Sequence, residues 1–216
     1  MKKQQSGFTL VEIAIVMVII GLLLGGVLKG QEVITNARLK NINNEYNGVS
    51  AAVYSYQDRY RALPGDDAAA DAHVGGTVSN GTVGTQGNGL IEGAYDADAA
   101  AAVALAASNA ETLLAWHHLR AAGLISGAAT GDSSNDTPSN AVGGITGIES
   151  GEGNTTDFIP GLVVGFSALA PDFAQILDIQ NDDGDADLGS IVTGTTGTTY
   201  ATHISTGTLQ ELFFGF

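Results

Sequence analysis

The 216-residue sequence contains no cysteine, which excludes a disulfide framework and every thiolate metal site. Positive charge is nearly as scarce: eight Lys and Arg residues stand against twenty-three acids, for a net charge of -15. Seven of those eight lie at or before Arg61, so the remaining two thirds of the chain sets nineteen acids against Arg120 alone. Such a stretch repels a phosphate backbone, and no nucleic-acid binding is expected from it. Proline occurs four times and tryptophan once. No Ser/His/Asp or HExxH spacing appears, which argues against an enzyme. What is abundant is glycine, thirty residues of it, and with Thr, Ser, Asn and Ala it predicts long irregular loops. The length suits one domain with an appendage and a modest core.

The N-terminus joins two signals. Met1 to Gly7 is short, polar and basic through Lys2 and Lys3; Phe8 to Leu28 is then apolar except for Glu12. At about 1.5 Å per residue this run spans a hydrocarbon core of roughly 30 Å. The lysines favour a cytoplasmic N-terminus with the remainder exported. A secretory signal places its small cleavage-site residues after the apolar region. Here Gly7 precedes it, so the apolar segment survives cleavage. Glu12 is the odd residue, because an ionisable group inside such a helix costs several kcal/mol unless it is paired. Cutting after Gly7 would create a matching cation, the amine of Phe8. A copy shifted along the axis can present that amine more readily than the same chain can.

Gly7-Phe8-Thr9-Leu10-Val11-Glu12 followed by an apolar helix resembles the class III leader of type IV prepilins and type II secretion pseudopilins. The resemblance implies cleavage between Gly7 and Phe8 by a prepilin peptidase, N-methylation of Phe8, and pairing of Glu12 with the Phe8 amine of an adjacent subunit. It also implies a pilus or secretion assembly platform as partner. The precursor would sit in the inner membrane and then enter an extracellular, homo-oligomeric helical filament or a periplasmic pseudopilus. Many pilins carry proline where Lys29 stands; this chain has Gly21, Gly25, Gly26 and Gly30 instead, which weaken a helix without removing a donor. YRALPGDD (Tyr60 to Asp67), WHHLRAAGLI (Trp116 to Ile125) and LDIQNDDGDADLGS (Leu177 to Ser190) are similar to segments of a group of bacterial prepilin-type proteins.

Ile42, Tyr46, Val49, Val53, Tyr56 and Tyr60 recur at helical spacing and form a narrow apolar stripe opposite Lys40, Asn43, Asn44, Asn47 and Asp58. Pro64 disfavours helix at Leu63 and ends the segment. Four parts are therefore expected: a leader over 1–7, a membrane or filament-core half-helix over 8–29, an amphipathic half over 30–63, and an acidic globular head over 64–216. The fold expected is α+β and type IV pilin-like, a long N-terminal helix packed on a small antiparallel sheet with a second helix and long Gly-rich loops. The second helix is placed near Ser108 or Asn109, capped by Gly123. Strands are placed at Phe158 to Phe166, Gly189 to Thr193 and Thr208 to Phe214, and a short helix at Phe173 to Asp178. Ala68 to Asn88 reads as a loop with room for short strands, and Gly127 to Asn154 as a loop.

Adjacent His117 and His118 diverge by about 100° on a helix and do not chelate one ion together; one is expected to pack and the other to face solvent. His73 and His203 stand isolated in sequence. The alternating Asp183, Asp185 and Asp187 before Gly189 suit a hard cation such as calcium, or form a solvated acidic turn. They are not an EF-hand, because Gly194 stands where a bidentate Glu is required. The function expected is a structural filament subunit, as a major pilin, a minor or tip pilin, or a pseudopilin. A membrane-anchored cation-binding module is the competing reading.

Overall fold

A computed structural model describes residues 9–75, 86–95, 111–129, 137–151, 159–194 and 199–216. Contacts divide the chain into two compact units, 1–40 and 41–216. Helix α1 runs from Leu10 to Tyr60, unbroken through Gly21, Gly25, Gly26 and Gly30. It stops at Arg61, which adopts a left-handed φ of 58°, three residues before Pro64.

In the first unit the helix is uncovered and predominantly apolar from Leu10 to Leu28. Fourteen large aliphatic side chains between Leu10 and Leu28 are exposed, from Leu10 at 90% to Ile20 at 44%. This segment is long and apolar enough to cross a membrane.

The second unit holds the core. Its part of α1 buries Ile42, Val49, Val53 and Tyr56, which bears out the stripe; Tyr46 and Tyr60 are half-buried. The sheet has four antiparallel strands, β1 (Thr146–Ser150), β2 (Leu162–Leu169), β3 (Ile191–Thr193) and β4 (Gln210–Gly215), in the order β1-β2-β4-β3. Tyr46 ties α1 to the central strand. Its hydroxyl donates to the Gly215 carbonyl at 2.9 Å, and its ring packs 5.0 Å from Phe214. Around the sheet lie α2 (Glu111–Ala121), α3 (Pro171–Asn181), α4 (Tyr200–Thr206) and a π-helical turn at Asp71–Gly75.

Three expected strands and two expected helices are present with shifted bounds. β2 begins after Pro160-Gly161, because Gly161 turns the chain at φ 106°. It bulges near Ala168, at φ 61°, before pairing again at Leu169 with Gln210. Residues 108–110 lie outside the described residues, so the expected start of α2 is not placed. β1 was expected as loop; Gly147 in its middle hides its strand character, yet only glycine fits there, since a Cβ would strike the Tyr95 carbonyl. α4 was also unexpected. Its Thr-rich sequence has low helix propensity, and it is held by burial of Tyr200 and His203 and closed by Gly207 in a left-handed C-cap.

Candidate functional site

Gly7 and Phe8, the expected cleavage pair, lie outside the described residues; Thr9 and Glu12 are described. Thr9 caps α1, its carbonyl accepting from the Ile13 amide at 3.3 Å. The Glu12 carboxylate accepts from the Thr9 amide at 2.8 Å and from the Thr9 hydroxyl at 2.9 Å, while the Glu12 amide donates to the Thr9 hydroxyl oxygen at 3.3 Å. This is a reciprocal capping box, and it satisfies helix-end donors that have no partner inside the helix. The signal is legible as Thr-x-x-Glu ahead of an apolar run, and it adds a partner within the chain to the intermolecular amine expected for Glu12. Both carboxylate bonds use Oε2, so Oε1 keeps its lone pairs for a second donor.

In the second unit, the LPGDD segment is a knot of backbone and carboxylate. Gly65 stands at φ 94°, and a Cβ there would collide with the Glu111 carbonyl, so helix α2 closes onto a glycine. Its amide donates to His118 Nδ1 at 2.9 Å, which fixes that buried ring as the tautomer carrying its proton on Nε2. Asp66 accepts from the amides of Gly87, Asn88 and Gly89, and so pins the following loop. Asp67 accepts from Tyr56 at 2.8 Å, from the Ala69 amide at 3.0 Å, and lies 2.7 Å from His73 Nδ1. Burial pushes the Asp67 carboxyl up, but the bonds from His73, Ala69 and Tyr56 outweigh it and hold it below the usual carboxylate range. His73, isolated in sequence, is therefore partnered in space and stacks 5.4 Å from Tyr60.

The histidine pair corrects the expectation that one of the two faces solvent. Both are buried, because α2 is covered on all sides from Glu111 to Arg120. His117 Nε2 bonds the Ala129 carbonyl at 3.1 Å, and burial lowers its pKa, so the ring is held neutral. Glu111 is the acid this helix hides. It is fully buried, one oxygen accepts from the Glu92 amide at 2.8 Å, and the other has no partner. Burial first, then the nearby Asp66 and Glu92 carboxylates, push it up to about 7.

The acidic turn assembles differently from its sequence reading. Carboxylate oxygens of Asp178, Asp182 and Asp183 lie within 4.8 Å of one another. Among the described residues that group excludes Asp185 and Asp187. The Asp185 amide donates to Asp183 at 2.9 Å and the Asp187 amide to Asp185 at 3.2 Å, so these acids make successive side-chain turns. Asp178 was missed because it lies on α3, upstream of the acidic run. It is fully buried, takes the Tyr200 hydroxyl at 2.9 Å and the Gly184 amide at 3.2 Å, and burial raises its pKa. Asp182 accepts from the Ser190 and Ile191 amides and joins the turn to β3.

These features define a class: an α+β protein with an exposed apolar N-terminal helix, a capped carboxylate one turn into it, and an acidic second unit. Residues 2–28 match the family described as Prokaryotic N-terminal methylation motif. The chain thus carries the prepilin-type signal of type IV pilins and pseudopilins, and the match covers that N-terminal segment. No curated protein and no solved structure matches the chain.

Proposed function

We propose that the chain is a structural subunit of a type IV pilus-like extracellular filament, inserted in the inner membrane as a precursor and assembled after a prepilin peptidase cuts between Gly7 and Phe8. One observation carries this reading: the chain exposes a complete apolar helix surface that it does not bury itself. Each such side chain stabilises by roughly 1.5–3 kcal/mol on full burial, so lipid before assembly and neighbouring copies afterwards supply what the chain lacks. Glu12 then sets axial register. Thr9 holds its Oε2, and Oε1 receives the methylated Phe8 amine of the adjacent copy. The role is assembly, not catalysis. Glu12→Ala is expected to leave leader cleavage intact, scored by the size shift of the processed chain, while sheared filaments fall sharply. Wild-type filament yield from that variant would refute the register role.

A second reading attaches to the acidic turn. The Asp178, Asp182 and Asp183 oxygens are spaced for one hard cation, and the expected occupant is calcium, with Asp185 and Asp187 adding charge beside it. Calcium is then expected to raise the melting temperature of the second unit, and chelation to reverse the rise. An unchanged melt across a calcium titration removes the ion from this account.

A further inference from the structure

Beyond the apolar run of α1, helix α3 in the second unit displays exposed aliphatic side chains. On α3, Ile176 and Ile179 sit one turn apart and are 36% and 59% exposed. The acidic turn is continuous with that face: Gly184 lies directly against the Ile179 side chain, and exposed Asp183 and Asp185 flank Gly184. The carbonyl end of α3 adds its own negative potential at the same place. The face is thus apolar at one end and strongly negative at the other.

Helix α1 carries the opposite pattern. On α1, Val33 and Ile34 are 58% and 54% exposed, and Arg38 and Lys40 follow one to two turns later, also exposed. Among the described residues no acid lies within salt-bridge range of Arg38 or Lys40. Lys29, by contrast, is paired with Glu32 at 2.7 Å. Val33, Ala37 and Lys40 share one helix face, and Ile34 and Arg38 share the next. An apolar patch running into unpaired positive charge matches an apolar patch running into negative charge, and Asp185 keeps that charge whether or not a cation occupies Asp178, Asp182 and Asp183.

We propose that the α3 face with its acidic turn docks on the Val33–Lys40 segment of a second copy of this chain, the aliphatic side chains meeting while Asp183 and Asp185 face Arg38 and Lys40. The proposal rests on the filament reading and names a contact within it. Complementary charges at such a rim orient and select the partner, and juxtaposed like charges cost several kcal/mol.

Two measurements test it. In the first, Asp183→Lys with Asp185→Lys, and separately Arg38→Glu with Lys40→Glu, are each expected to lower sheared filaments by about tenfold, and the fourfold variant to restore them. Wild-type yield from either pair, or no recovery in the fourfold variant, overturns the contact. The second measurement exploits the absence of cysteine. One tagged copy carrying Asp185→Cys and a differently tagged copy carrying Arg38→Cys are co-expressed and treated with a short bis-maleimide, in membranes and in filaments. A crosslinked species bearing both tags is expected; its absence from both fractions overturns the proposal even if a charge variant misfolds. A wild-type chain that builds no filament refutes the filament reading, while crosslinking in membranes still scores this contact.

Discussion

The two units solve opposite problems with the same alphabet. Over Leu10 to Leu28 apolar side chains are gathered and left uncovered, whereas the second unit covers Trp116, Tyr56, Phe166 and Leu212 almost completely. Among the described residues, the first unit buries no polar side chain, and its Glu12 is held in a capping box. The second buries Asp66, Asp67, Glu111, His118 and Asp178 and binds most of them to backbone amides. The difference teaches where stability resides. The second unit draws on its own core, and the first draws on whatever surrounds it.

That contrast can be broken by substitution. Trp116→Ala empties the centre of the second unit and is expected to cost about 3–5 kcal/mol, seen as a large drop in its melting temperature with membrane association unchanged. Melting unaffected by this change would mean that the core lies elsewhere. Val18→Lys places a charge near the middle of the apolar run and is expected to weaken insertion by roughly 2.5–3.5 kcal/mol. Fractionation would show the chain leaving the membrane, while the melt of the second unit stays where it was. A shifted melt would show that the two units are coupled.

The smallest effect sharpens the comparison from inside the second unit. Glu111, raised by burial to about 7 in the folded chain, holds its proton more tightly folded than unfolded. Stability tied to it is full below the ordinary carboxylate pKa and declines as pH rises from about 4.5 to about 7, then levels off. Glu111→Gln keeps the shape and is expected to flatten that slope in melts taken across the window. A wild-type slope in the variant would assign the pH dependence to another group.

How legible these features were depended on how local they are. Gly7, Phe8 and Glu12 stood out because spacing, leader charge and apolar run lie side by side in sequence. The α1 stripe was legible for the same reason, its period repeating over five turns. β1 was hidden because its Gly147 exists to admit the Tyr95 backbone, a neighbour fifty-two positions away in sequence. The full burial of α2, and with it of both histidines, was hidden because ordinary residues such as Thr112 and Arg120 are enclosed there by packing that no period announces. Asp178 illustrates the same limit at the site: it reads as a helix surface acid until Tyr200 and Gly184 are brought to it.

The strand order β1-β2-β4-β3 has a consequence for how the sheet is completed. β4 comes last of the four in sequence, yet it occupies an interior place between β2 and β3, and its Gly215 carbonyl anchors Tyr46. Until β4 is in place, β3 has no strand to pair with and β2 lacks one of its two neighbours. The four-stranded sheet and the anchor for Tyr46 are therefore completed by the same strand.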